Sequence, residues 1–166
     1  AGGGDRTWSP VAAQGVVGGP VDLGGWTVTG LPAYHPGLVA GPVLSGWGTL
    51  PESAEILFSG RALSSLRKAS RGEPVAVLLD RSQVEALASL PYGDALEVVH
   101  TSRPLPTSLL CSVAGRLPPE RLKRLVERFR KMHQDGEGAA LLQTIRMERF
   151  VDLDQEELER IVKASD

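Results

Sequence analysis

Four places in the chain carry side chains able to hold a small charged molecule. Tyr34 and His35, followed by Gly37, lie in the segment Gly30–Gly37 (GLPAYHPG). A phenol and an imidazole can both donate to an anion, and the imidazole can also stack on a ring or ligate a metal. Ser59-Gly60-Arg61 combines a hydroxyl and a flexible backbone with a guanidinium suited to bidentate contact with an oxyanion or carboxylate. Asp80-Arg81 sets a carboxylate beside another base, and Ser102, with Arg103 next to it, adds a hydroxyl at a further chain turn.

Each of these residues also has a plain local reading. His35 can bond nearby backbone, Ser59 and Asp80 can cap the helices that follow them, and Arg103 can be solvated. His35 has no His, Cys or carboxylate at ligand spacing, so no metal site is expected. His100 and His133 fall on a strand end and a helix face, where structural roles suffice. The chain holds no G-x-S-x-G, H-E-x-x-H, phosphate-binding P-loop or helix-opening G-x-G-x-x-G. No catalytic residue and no cofactor are therefore expected.

The clusters follow short apolar segments. Trp26–Thr29 (WTVT), Glu55–Phe58 (EILF) and Val75–Leu79 (VAVLL) read as strands, each leading through a polar loop into a helical stretch. Strand, loop and helix in repetition specify an α/β fold with a parallel sheet and crossover helices. Ligands of such sheets bind outside the carboxyl ends of the strands, so the loops should converge on one cleft. The helices expected between the strands are Gly37–Gly46, kinked by Pro42, then Arg61–Ser70 capped by Ser59, and Ser82–Leu90 capped by Asp80 with Val84, Leu87 and Ala88 facing the core.

Before this unit the chain is glycine-rich, with one weak strand at Val11–Val17, and its opening residues are expected to be mobile. After it come strands at Leu96–His100 and Leu109–Val113, joined by the proline-containing extended segment Thr101–Ser108. The last third is helical. Pro118–Met132 carries Leu122, Leu125, Val126 and Phe129 at i, i+3, i+4 and i+7, Gly138–Ile145 is a shorter apolar helix, and Asp154 with Glu157 forms a capping box ahead of the final helix.

Composition narrows the class. Eighteen Lys+Arg against 20 Asp+Glu give a net charge of -2, without the basic footprint of a nucleic-acid binder. The one cysteine, Cys111, cannot form an intrachain disulfide, and its apolar surroundings suggest a small buried hydrophobe. No apolar run reaches the roughly 20 residues of a membrane span. The chain starts at Ala1 without an initiator Met or a leader, which suggests a processed or partial sequence.

Several segments, in order, resemble one family. Asp22-Leu23-Gly24-Gly25-Trp26-Thr27-Val28 looks like the D-L-x-G-x-x-V that opens a lobe in phosphate/phosphonate-type periplasmic solute-binding proteins, the type II binding proteins of ABC transporters. Phe58-Ser59-Gly60 and Val77-Leu78-Leu79-Asp80 look like that family's strand ends. His100–Pro106 (HTSRPLP) resembles its return crossover, Leu117–Leu122 (LPPERL) its helix start, and Gly136–Leu142 (GEGAALL) its late helix.

The matches run from about Asp22 to Val151 and correspond to the second lobe plus C-terminal helices, with the first lobe incomplete. The segments expected on this basis are residues 1–21 as a glycine-rich lead, 22–100 as the α/β ligand-binding lobe, and 101–166 as crossover, strand and helices. Where the family has a Ser/Thr-rich oxyanion loop, this chain has Pro32-Ala33-Tyr34-His35-Pro36-Gly37, with Tyr34 its one hydroxyl.

The resemblance implies non-catalytic binding of a small anionic or zwitterionic solute, phosphonate- or phosphate-like, for an ABC permease, in the periplasm or another extracytoplasmic space. Closure would turn on a hinge that includes Thr101–Ser108. The alternative is a sensing or protein-interaction module on the same fold, with a sensor partner or self-association through the incomplete lobe. The ligand contacts expected are Tyr34, His35, Gly37, Ser59, Gly60, Arg61, Asp80, Arg81 and Ser102.

Overall fold

The computed structural model describes residues 5–106, 110–145, 147–152 and 154–163. Among them the strands are β1 (Asp5–Arg6), β2 (Trp8–Ala13), β3 (Thr27–Gly30), β4 (Glu55–Phe58), β5 (Val75–Asp80), β6 (Leu96–Val98) and β7 (Leu105–Pro106). The α-helices are α1 (Pro36–Leu38), α2 (Ala62–Ala69), α3 (Arg81–Glu85), α4 (Pro119–Lys131), α5 (Gly136–Thr144) and α6 (Gln155–Lys163). The chain forms two units, one of Arg6–Leu105 with Glu156–Asp166 and one of Ala1–Asp5 with Pro106–Gln155.

The larger unit is built on a sheet of order β4-β3-β5-β2-β6. Strand β3 pairs in parallel with β4 and β5, as the alternating strand–helix pattern requires, whereas β2 runs antiparallel to both β5 and β6. The sheet is therefore mixed, because its fourth strand comes from the chain's start and not from a crossover repeat. Every residue of β2 is buried. Pro10 fits this interior position because the β2–β6 ladder begins at Val11, so its missing N–H falls beyond the last paired residue of β6.

Alternation along the strands divides the core between the two faces. Trp8, Ala12, Val28, Ala76 and Leu78 point to one face and meet Val39, Val43, Leu44 and Ile161 of α6. Val11, Val77 and Leu79 point to the other and meet Leu66 and Ala69 of α2, with Leu87 and Leu96. Burial of each full Val or Leu side chain contributes about 1.5–3 kcal/mol, so helices on both faces are needed to cover the sheet. Asp22 helps set up the entry to β3: its Oδ2 accepts from the Gly18 and Gly19 N–H groups at 2.8 and 3.0 Å.

Several expectations are corrected. The helix expected over Gly37–Gly46 is α1 followed by a π-helical turn, Val39–Val43, that contains Pro42. The missing Pro42 donor is accommodated by the wider turn, with Leu44 N–H bonding Val39 C=O. The helix beginning at Ser82 is instead α3, which starts at Arg81 and continues as a 3-10 turn, Ala86–Ser89. On it Leu87 is buried, Val84 half-buried and Ala88 exposed. Residues 1–4, at the opening expected to be mobile, lie outside the described residues, and Asp5–Arg6 form β1, which pairs with β7. The weak strand at Val11–Val17 begins earlier, at Trp8, and ends at Ala13 in a turn.

In the other unit, Leu110–Val113 is not a strand, and Leu109 lies outside the described residues, as do Thr107 and Ser108 of the proposed hinge. Leu110, Cys111 and Val113 are exposed, so Cys111 is not the buried hydrophobe its neighbours suggested. The apolar stripe of α4 is at most half-buried: Phe129 meets the Phe150 ring edge-on at 5.0 Å, and Arg130 pairs with Asp152. Asp135 caps α5 through the Gly138 N–H. Gly138 packs against the Met132 carbonyl, where a Cβ would collide, which accounts for the small residue in the GEGAALL segment. The capping box expected of Asp154 and Glu157 rests on the Glu157 side chain, which lies outside the described residues.

Candidate functional site

Because β3, β4 and β5 are parallel and in register, Gly30, Phe58 and Asp80 end at the same edge of the sheet. Antiparallel β2 brings its start to that edge, with Trp8 opposite Asp80. The loops after three strands and the chain entering a fourth thus share one end of the larger unit.

The loop after β3 starts from a backbone that only glycine adopts readily. Gly30 has φ 151° and ψ −174°, and a Cβ there would lie 2.7 Å from the Leu78 carbonyl oxygen. The 3-10 turn Leu31–Tyr34 follows, burying Pro32 and Ala33 and leaving Tyr34 71% exposed. His35 Nδ1 accepts the Leu38 N–H at 3.2 Å, the local backbone bond its sequence position allowed. The His35 ring meets Tyr34 edge-on at 6.5 Å, and Gly37 lies half-buried within α1.

Ser59 does not cap α2. The helix begins with Arg61 at its N-cap, too close in sequence for the Ser59 hydroxyl to reach a first-turn N–H. That hydroxyl accepts the Arg61 N–H at 3.1 Å, and Ser59 N–H approaches the Gly30 carbonyl at 3.4 Å, tying this loop to the one after β3. Gly60 and Arg61 are exposed, and the Arg61 guanidinium makes no ion pair among the described residues.

Asp80 is the most elaborately held residue of this edge. Its Oδ1 accepts the Gln83 N–H at 2.9 Å and the Ser82 hydroxyl at 2.7 Å, and its own N–H donates to Gln83 Oε1 at 3.0 Å. This is a full capping box on α3. Its Oδ2 faces Arg6 Nη1 at 3.6 Å, with the two side chains 16% and 46% exposed. Burial pushes the carboxyl's pKa up, but the hydrogen bonds from Ser82 and Gln83 and the Arg6 charge outweigh it and lower the pKa overall. Arg6 in turn lies 5.7 Å from the centre of the Trp8 ring.

Arg81 turns along its helix to Glu85, with Nε 2.9 Å from Oε1. Ser102 is buried, its hydroxyl accepting the Trp8 N–H at 3.0 Å and donating to the Arg103 carbonyl at 2.7 Å. That hydroxyl fastens the chain beside β2. These contacts join Asp80, Arg6, Trp8 and Ser102 into one group, and Ser59 to Gly30 into a second at the same edge. Tyr34, His35 and Gly37 stand on the β3 loop, while Arg81 is drawn to Glu85.

Sequence reasoning missed Arg6 and Trp8. The apolar run Trp8–Ala13 was the available signal, obscured by Pro10 inside it and by the glycines around it. Among the described residues no group of His, Cys, Asp and Glu could hold a metal ion, and no helix is long and apolar enough to cross a membrane. The smaller unit has a groove of about 690 Å³ lined by Leu125, Phe129, Met132 and Leu141, with Arg124 and Asp135; it contains none of the residues above.

Comparison with known proteins fits this architecture. The family described as ABC transporter, phosphonate, periplasmic substrate-binding protein matches residues 47–158, more than half of the chain. The chain belongs to this family. The match takes in Ser59, Asp80 and Ser102 but not the loop that carries Tyr34 and His35.

As a member of the phosphonate substrate-binding family, the chain shares its fold with solved binding proteins. XAC2383 from Xanthomonas citri, in a structure bound to ATP, aligns with TM-score 0.66 and 16% identity over 98% of this chain and 65% of its own. The same protein bound to chloride gives 0.65 and 17%, over 98% and 64%. A binding protein component of an ABC phosphonate transporter from Pseudomonas aeruginosa aligns at 0.54 and 14%, over 99% and 57%. The chain therefore spans less than two thirds of the length of these relatives, and at these identities they show the fold alone: a mixed sheet with flanking helices and C-terminal helices of the type II binding-protein kind. No curated protein matches the chain by sequence.

Proposed function

We propose that this protein binds a small anionic or zwitterionic solute, phosphonate- or phosphate-like, without catalysis, as the extracytoplasmic substrate-binding component of an ABC transporter. The observation that carries the proposal is the gathering, at the carboxyl edge of β3–β5, of an ionised Asp80, a half-exposed Arg6, an exposed Arg61 without an ion pair among the described residues, and an exposed Tyr34. That edge is where α/β sheets receive ligands, and the family membership supports a transport role. Structures of the relatives name chloride, ATP and arginine as bound species. The choice of solute class for this chain therefore rests on its own side chains. Bases at the edge favour an anionic group, and Asp80 favours an additional amine.

The test is thermal denaturation of the purified chain against phosphate, phosphonates, phosphite, sulfate, carboxylates and amino acids. A ligand at 100-fold excess over its Kd stabilises by about 2.7 kcal/mol, which for a chain of this length raises Tm by about 5–10 °C. A shift with phosphonates or zwitterions supports the reading, and no shift across the panel rejects it.

One feature favours a second reading, a sensing or protein-interaction module. Strand β4 is an outer strand of the sheet, yet Leu57 and Phe58 on it are 51% and 61% exposed. An apolar open edge of this kind is a pairing site for another chain. Oligomerisation or partner capture, lost on Leu57→Lys and combined with silence toward the solute panel, would put this reading first.

A further inference from the structure

The two oxygens of Asp80 are used very differently. Oδ1 is occupied by the capping box, accepting from Ser82 and Gln83. Among the described residues the cation facing Oδ2 is Arg6, at 3.6 Å. That separation is an ion pair without a hydrogen bond, since N–H···O bonds fall at about 2.7–3.2 Å. Arg6 itself is half-exposed and lies near the Trp8 ring, so its guanidinium has a second resting place that does not require Asp80.

This arrangement treats two kinds of solute unequally. A ligand ammonium is compact and can hydrogen-bond Oδ2 directly, displacing Arg6, which is then released to the ligand's anionic group. A plain anion can recruit Arg6 only by drawing it away from Asp80, and nothing then replaces the charge at Oδ2. Resting on the reading above, we propose that Arg6 is a specificity residue: by pairing with Asp80 Oδ2 it limits the site's preference for solutes that carry an amine as well as an anionic group, and keeps solutes with the anion alone within reach.

The experiment compares methylphosphonate with aminomethylphosphonate, which differ by one amino group, on the parent chain and on Arg6→Ala, Arg6→Lys and Asp80→Asn. Calorimetric affinity is the readout, and unliganded Tm checks folding. The parent should bind the amino compound more tightly. Arg6→Ala should weaken methylphosphonate about tenfold, the factor given by 1.4 kcal/mol, because the anion loses its counter-charge and faces an unpaired Asp80. Its affinity for aminomethylphosphonate should change by less than about threefold, since the freed Oδ2 offsets the lost base.

Arg6→Lys, which keeps the charge, should keep the parent order of affinities. Asp80→Asn should erase the preference for the amine. If the parent binds neither compound, the proposed solute class falls and this inference falls with it. If the parent binds but Arg6→Ala weakens both compounds by the same factor, solute binding stands and the specificity role of Arg6 is overturned.

Discussion

Gly30 offers the sharpest test of how the sheet edge is built. Its φ of 151° and ψ of −174° lie in a region that side-chain-bearing residues enter at about 1–3 kcal/mol. A methyl group added there would approach the Leu78 carbonyl oxygen to 2.7 Å and the Leu78 Cβ to 2.9 Å. Neither is the far end of a flexible side chain, and crowding of this kind costs a further ~1–3 kcal/mol. Gly30→Ala should therefore lose about 4 kcal/mol, which for a chain of this length lowers Tm by about 8–16 °C.

Gly60 supplies the control. It lies in the neighbouring loop, a Cβ there would meet nothing within 4 Å, and its φ is not positive. Gly60→Ala should stay within about 0.5 kcal/mol of the parent. Urea titration of the two variants beside the parent measures both numbers. A Gly30→Ala loss below about 1 kcal/mol would show that β3 and β5 can separate cheaply at this point, and the rigid edge would have to be abandoned.

Three other outcomes are expected. Asp80 is held ionised below its ordinary value of 3.8, so its charge contributes stability above that value that is lost as pH falls through the lowered one; Asp80→Asn, which keeps the capping oxygen, should cost about 1 kcal/mol near neutrality and nothing at strongly acid pH, as measured by denaturation across pH. Burial lowers the His100 pKa from 6.5 despite a backbone hydrogen bond with Val43, and the ring stacks on Trp47 at 5.4 Å. The unfolded chain then binds a proton more readily, so stability should fall as pH drops through and below 6.5; His100→Phe, which preserves the stack, should flatten that slope. Tyr34→Ala and Ser59→Ala should each weaken the solute found in the thermal panel while leaving the unliganded Tm within about 2 °C; two variants that bind like the parent would move the site elsewhere.

The parts of the fold that a local pattern could specify were readable. Strand β4 falls on the four residues expected, and β5 extends its expected run by one, because apolar stretches bounded by turn residues have few other uses. The Asp80 cap was likewise readable, since Gln83 stands three residues on. Strand β2 was readable only in part, over Val11–Ala13, because a strand buried on both faces has no alternation to betray it and Pro10 argues against an interior position. What rescues Pro10 is the length of β6, a property of the partner strand. Ser59 was misjudged by a single turn of geometry, since its hydroxyl satisfies the Arg61 N–H before the helix begins. Arg6 could not have been found at all without β2, because only that strand's antiparallel course sets it opposite Asp80.

The central place of β2 also bears on how the larger unit assembles. Strands β3, β4 and β5 with their intervening helices are contiguous in sequence and can meet through short loop closures. Strand β2 pairs Trp8 with Asp80 and Val11 with Val98, contacts that close long stretches of chain. Because it separates β5 from β6, the last strand has no place to dock until β2 has arrived. Closure of such long loops is slow on entropic grounds. The β3–β5 subdomain should therefore form early, with insertion of β2 as the late, rate-limiting step.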